Sequence, residues 1–244
     1  MAINQDSSHG RQFNTTRWSI VLAAGHKNTP QTQAALGNLC ETYWWPLYAY
    51  LRRSGCTPHE AEDVVQGFFA RLLEKDGLAH VSPERGRFRS FLLAAVNHYL
   101  ANQRDAGRAL KRGGSCKVIS LDLDAAEHRY EPVASAGRTP EMSFDRQWAM
   151  TLLDTVRDRL RKECLADGKE DRYRLLEPFL VGESARSYRD AMKELNLSEN
   201  AVKVAVHRLR QRFRELLRSE IAQTVATAQE VDNEIRELFA ALRT

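Results

Sequence analysis

The stretch LSENAVKVAVHRLRQRFRELLR, Leu197 to Arg218, decides how the chain is read. As a helix from Ala201 it places Val202, Val206, Leu209, Phe213 and Leu216 on one side, at spacings of three and four. The other side carries Lys203, His207, Arg210, Arg214 and Arg218 at the same spacings. Residues so spaced share a helix face, so one face is apolar and the other cationic. Upstream, Ser187-Tyr188-Arg189-Asp190 resembles a capping box and opens a second amphipathic helix, SYRDAMKELN. Asn196 supplies a turn residue that tolerates left-handed φ, Ser198 caps the longer helix, and Glu199 sits near its positive end. Met192 is expected where the two helices cross. The pattern is a helix-turn-helix. Asn200, Lys203 and His207 would face a major groove, while Arg208, Arg210, Arg212 and Arg214 would mainly meet phosphates. The competing reading is an ordinary helical hairpin with a solvated basic face.

The charge layout around this stretch favours nucleic acid. The chain of 244 residues is 28% charged with a net charge of only +4, so the total says little about partners. The distribution says more. Arg85, Arg87, Arg89, Arg104, Arg108, Lys111 and Arg112 gather in one block, and Lys203 to Arg218 form another. Each is followed by an acidic segment: Asp122, Asp124, Glu127 and Glu131 after the first, Glu230, Asp232, Glu234 and Glu237 after the second. Separate basic patches on a near-neutral chain fit two nucleic-acid contacts. The four cysteines are scattered, with no C-x-x-C spacing, which argues for a reduced cytosol and against a disulfide framework or zinc site. The polar N-terminus has no signal-peptide core, and no apolar run approaches the roughly 20 residues of a membrane span. A cytoplasmic protein is expected.

Outward from the helix-turn-helix, nearly every segment has helical period. Thr15 or Thr16 caps a short helix, RWSIVLAAG. A helix from about residue 31 to 53 follows, rich in aromatics, which Pro46 should kink or split. Thr57-Pro58-His59-Glu60 is a capping box with proline in the first helical position. It opens PHEAEDVVQGFFARLLEK, with Ala61, Val64, Val65, Phe68, Phe69, Leu72 and Leu73 on one face. A helix over 88–109 buries Phe88, Phe91, Leu92, Ala95 and Tyr99, and Gly113-Gly114 stops it. Residues 115–140 read as a linker, although VISLDLD alternates briefly like a short strand. Helices are expected again over 141–165 and 172–180. A last amphipathic helix carries Ile221, Val225, Ala228, Ile235, Leu238 and Leu242 on its apolar side. The expectation is an all-α chain: an N-terminal extension (1–30), a helical domain (31–114), the linker (115–140), a helix-turn-helix domain (141–218) and a C-terminal helical extension (219–244).

His59, Glu60, Glu62 and Asp63 invite a metal or acid–base reading. Carboxylates in a first helical turn are explained by the cap and the macrodipole, and no second ligand cluster accompanies them, so neither metal nor cofactor is expected. RGRFRSFLLAAVNHYLANQRDAGRALKRGG combines aromatic, amide and arginine side chains, a mixture suited to unpaired bases beside a phosphate backbone and also to a core helix with a basic outer face. There is no phosphate-binding glycine loop, no G-x-S-x-G and no H-E-x-x-H. No catalytic residue is assigned.

In order and spacing these motifs resemble the sigma-70 family of RNA polymerase sigma factors, of the small extracytoplasmic-function type with only domains two and four. The residues that carry the resemblance are AEDVVQGFFARLLE, FRSFLLAAVNHYLANQRD and YRDAMKELNLSENAVKVAVHRLRQRFREL. FNTTRWSIVLAAG together with RGRFRSFLLAAVNHYLANQRD is similar to a subgroup typical of planctomycete-like genomes. The likeness covers roughly residues 36–112 and 141–218. It implies that Asp63 and Gln66 bind the β′ coiled coil of core RNA polymerase. It implies that the arginine-rich helix, with Arg87, Arg89, His98, Asn102, Arg104, Arg108, Lys111 and Arg112, recognises and melts a minus-ten element. The helix-turn-helix would dock a minus-thirty-five element, near the β flap, and the linker would thread toward the polymerase channels. Such a factor performs no chemistry itself. An anti-sigma factor, a kinase or the C-terminal tail would be its regulator.

The chain departs from the family pattern in three places. His98, Asn102 and Asp105 stand where an Asn, an Asp and an Arg are usual, Phe91 replaces a common tryptophan, and Lys203-Val204-Ala205 replaces a frequent Lys-Ser-Arg. Two other functions remain open on these residues. One is a stand-alone helix-turn-helix regulator that needs only duplex DNA. The other is a metal-dependent nucleic-acid enzyme using Glu60, Glu62 and Asp63. Thr224 to Thr244 is expected to pack on a domain or hold the factor inactive.

Overall fold

The computed structural model describes residues 30–73, 87–109, 137–180, 188–225 and 227–243. These form eight α-helices and no strand. They are α1 (Pro30–Arg53), α2 (Pro58–Leu73), α3 (Phe88–Ala109), α4 (Pro140–Ala166), α5 (Glu170–Leu176), α6 (Tyr188–Leu195), α7 (Glu199–Ala222) and α8 (Ala228–Arg243). A 3-10 turn, Glu177–Phe179, follows α5. The expected all-α class holds among the described residues. The short helix near residue 17, the brief strand at 118–124 and most of the linker lie outside them.

Local sequence explains most of the boundaries. Thr57 Oγ1 accepts from the Glu60 amide at 3.3 Å while Glu60 Oε2 accepts from the Thr57 amide at 2.8 Å, the reciprocal capping box that starts α2. The Thr139 side chain accepts from the Met142 amide and Pro140 occupies the first turn of α4. Pro46 lies inside α1 and does not split it into two helices. At the other end of the chain, α7 runs on to Ala222, past the expected end at Arg218. Ile221 therefore belongs to α7, and α8 starts only at Ala228.

The core is organised around α1 and α4. From Thr42 to Leu51 every side chain of α1 is buried, with α2 and α4 packed along the helix. In α4, Phe144, Trp148, Leu152, Val156 and Leu160 repeat every fourth residue and form one buried ridge. Its 27 residues make a rod about 40 Å long. The N-terminal part of that rod lies along α1, where Trp45 Nε1 donates to Gln147 Oε1 at 2.7 Å. The later part packs on α7, and α8 closes over both α4 and α7. Residues of α1, α2, α3, α4, α7 and α8 thus share one apolar cluster, so the segments on either side of the linker are packed together.

A second, smaller cluster serves the helix-turn-helix. Leu176 and Phe179 meet Ala191 of α6 and Val202, Ala205 and Val206 of α7. Ala191 is the buried residue of α6, whereas Met192, expected at the crossing, packs half-buried at the edge. A small side chain at the contact lets the helix backbones approach, and the expectation was one residue out of register. Asn196 adopts φ of +50° in the turn, as its position predicts. Ser198 caps α7, accepting from the Ala201 amide at 3.3 Å.

Candidate nucleic-acid interface

The helix-turn-helix presents part of its expected contact set. Asn200, Lys203, His207, Arg208 and Arg214 are exposed on α7. Lys203 pairs with Glu199 one turn earlier, at 2.7 Å, a solvated pair that leaves the ammonium on the surface. The apolar side is buried as expected at Val202, Val206, Phe213 and Leu216, with Leu209 half-buried.

Two arginines of the expected set are occupied within the protein. Arg210 is half-buried, and its Nε donates to the Phe179 carbonyl at 2.8 Å, which ties α7 to the turn after α5. Arg212 makes two bonds to Glu163 of α4, Nε to Oε2 at 2.8 Å and Nη2 to Oε1 at 2.9 Å, and a third to Glu215. A forked guanidinium bound this way orients α7 on α4. These contacts assign Arg210 and Arg212 to holding the unit together. The sequence gave no signal to separate them from Arg208 and Arg214, because their partners lie 31 and 49 residues away.

On α2, Asp63 is exposed and Gln66 half-buried, its Nε2 donating to Glu62 Oε1 at 3.0 Å. They lie one turn apart on the side opposite Val65, Phe68 and Leu72, which are buried. Glu60, part of the tempting acidic cluster, spends its carboxylate on the Thr57 cap. Among the described residues no group of three or more His, Cys, Asp or Glu is placed to hold a metal ion.

Helix α3 divides into an outer and an inner end. His98 and Asn102 are exposed one turn apart, with Asn97 beside them accepting from the Tyr50 hydroxyl at 3.0 Å. Phe91 is half-buried, its ring 5.9 Å from that of Phe88. Gly67 of α2 makes room for Tyr99, whose hydroxyl would clash with a Cβ at that position. The side chains of Arg104 and Arg108, and the whole of Lys111 and Arg112, lie outside the described residues.

The start of α3 departs most from expectation. Arg89 is only 7% exposed. Its Nε donates to Glu234 Oε1 of α8 at 2.7 Å, its Nη1 pairs with Asp145 of α4, and its Nη2 reaches Glu237. The guanidinium carbon lies 4.9 Å from the centre of the Trp148 ring. Burial alone would lower the pKa of Arg89; the bond to Glu234 and the charges of Asp145, Glu234 and Glu237 outweigh it and raise it. Arg87 joins the same cluster, its Nε 2.9 Å from Glu234 Oε2 and its Nη1 on Glu237. In this packing carboxylates of α8 engage both arginines, with Arg89 buried and Arg87 half-buried. The acidic run after the second basic block was visible in the sequence, but not its destination.

No family model, curated protein or solved structure matches this chain. No helix among the described residues is long and apolar enough to cross a membrane.

Proposed function

We propose that this chain is a sigma factor of the sigma-70 family, extracytoplasmic-function type, that binds core RNA polymerase in the cytoplasm and directs it to promoters. The observation that carries the reading is the helix-turn-helix. It has its own small core, a capped second helix, and Asn200, Lys203, His207, Arg208 and Arg214 on the surface, where a major groove and its flanking phosphates can meet them. The exposure of Asp63, with Gln66 a turn away, supports docking of α2 on the β′ coiled coil. His98 and Asn102 on the outer face of α3 support contact with an opened minus-ten element. A cavity of about 310 Å³ between α4, α5 and α7, lined in part by Cys164, Tyr173 and Leu209, is a concave face for the β flap. In this role the chain supplies specificity, and the polymerase supplies catalysis.

A second reading is a stand-alone DNA-binding regulator. It is favoured by the packing of α1 on α4 and by the engagement of Arg87 and Arg89, which leave the helix-turn-helix as an open cationic surface among the described residues. Run-off transcription with purified core polymerase and genomic fragments separates the two. A sigma factor co-migrates with core and yields discrete transcripts; a stand-alone regulator binds duplex DNA and does neither.

A further inference from the structure

Helix α8 is attached in two ways. Val231 and Leu238 are buried, and Ile235 and Leu242 pack half-buried against the same core. Beside this apolar stripe stand five ion pairs and one hydrogen bond to a backbone carbonyl. Glu234 and Glu237 hold Arg87 and Arg89 of α3, Asp232 holds Arg218 of α7, and Arg146 of α4 donates to the Leu242 carbonyl at 2.8 Å. The carboxylates of α8 thus reach cations from both basic blocks of the sequence. Five residues, 223 to 227, separate α7 from α8 in the sequence.

We propose that α8 is a built-in anionic occupant: Glu234 and Glu237 fill, in the same chain, the Arg87–Arg89 site that nucleic-acid phosphates would otherwise take, and nucleic acid must displace α8 to engage it. This rests on the reading of α3 as a nucleic-acid helix. Carboxylate and phosphate make the same forked demand on a guanidinium, so one donor set serves either partner and not both. Among the described residues both ion pairs of Arg87 go to α8, so α8 carries away each of these partners when it leaves. Arg89 keeps Asp145 beneath it and the Trp148 ring beside it, and so stays held in place when α8 leaves. The short tether makes the occupant intramolecular, so it competes at a high effective concentration against a free oligonucleotide. Fastening Arg218 as well, α8 locks the two basic modules to each other.

The test uses the full chain and its Glu237→Gln variant, which removes one carboxylate from a side chain 47% exposed and leaves no cavity. Anisotropy with a labelled single-stranded oligonucleotide is expected to show about tenfold tighter binding by the variant, with a salt dependence steeper by about 0.7 in log–log slope for a released arginine. Hydrogen exchange on the unmodified chain is expected to show α8 losing protection when nucleic acid or the polymerase complex binds. Equal or weaker binding by the variant, or α8 protection retained in the bound complex, overturns the proposal. If the chain co-migrates with core polymerase and starts transcription while α8 stays protected, the occupant idea falls and the sigma reading stands. If Glu237→Gln gains oligonucleotide affinity but neither form binds core, the occupant stands and the sigma reading falls.

Discussion

Arg89 and Glu234 lie 145 residues apart in sequence and 2.7 Å apart in the fold, with the carboxylate side chain only 1% exposed. Removing either partner alone leaves the other charge buried without its main counter-ion. Glu234→Ala or Arg89→Ala is therefore expected to destabilise the protein by about 3–5 kcal/mol, measured by urea unfolding. Arg89→Met combined with Glu234→Leu should recover much of that loss, because an apolar pair needs no charge compensation.

Arg208, Arg210, Arg212 and Arg214 of α7 divide by what they touch. Arg208→Ala and Arg214→Ala should each weaken duplex binding uniformly across sequences and reduce the salt slope by about 0.9, with little change in stability. Arg212→Ala should cost stability by about 1 kcal/mol or less, since its pair with Glu163 is half exposed. Arg210→Ala removes a donor from the Phe179 carbonyl and should loosen the turn at α5 by about 1 kcal/mol. Binding titrations at several salt concentrations, run beside thermal melts, separate the two groups.

What could be read from the sequence was what depends on near neighbours. The box at Thr57, the cap at Ser198, the proline at 140 and the left-handed Asn196 act within one helical turn, so their residue types carry the information. The apolar stripe of α7 was legible because burial repeats with the helix period. The end of α7 was not, because Ser219-Glu220-Ile221-Ala222 contains neither glycine nor proline to stop it. Ala191 and Met192 are adjacent on a helix of eight residues, too short for periodicity to fix the crossing. Arg87 and Arg89 looked like the other basic residues of their block because charge in a sequence carries no sign of burial, and their partners on α8 come from another end of the chain.

On the proposed reading, Thr57 supports α2 and Asp63 contacts the polymerase from the same helix. Thr57→Ala breaks the reciprocal cap of α2 and should cost about 1 kcal/mol of stability, while affinity for core polymerase is unchanged. Asp63→Ala with Gln66→Ala should leave the melting temperature nearly unaltered and abolish co-migration with core. The reverse pattern would show that the outer face of α2 is structural.

Glu237 makes the α8 contact sensitive to acid. Burial raises its pKa, but the hydrogen bond from Arg87 and the charges of Arg87 and Arg89 outweigh this, so its folded-state value lies below the ordinary carboxylate one. The groups facing it are Arg87 and Arg89 of α3, with Asp145 of α4 and Glu234 of α8 in the same cluster. Stability from this group is fully present above the unfolded carboxylate pKa and is lost as pH falls through the depressed folded one. The unmodified chain should therefore lose more stability than Glu237→Gln between neutral pH and the acid end of carboxylate titration. Denaturant melts across that range measure the difference, and parallel curves would place the acid sensitivity elsewhere.

Val204 is 42% exposed on α7, between Lys203 and His207, while its neighbour Ala205 is buried in the helix-turn-helix core. Of the two positions where the family pattern carries Ser and Arg, only 204 faces outward here. A branched apolar side chain among polar contacts is suited to the C5-methyl group of thymine, the one apolar mark on a major-groove edge. Replacing each thymine of a selected duplex by uracil removes that methyl and nothing else. For the unmodified chain, affinity should fall about fourfold at one position, the value of about 0.8 kcal/mol for a buried methylene-sized group. Val204→Ala should bind more weakly at the start and lose that dependence on the methyl. Equal response to uracil at every position in both proteins would make Val204 a solvated residue and leave base reading to Asn200, Lys203 and His207.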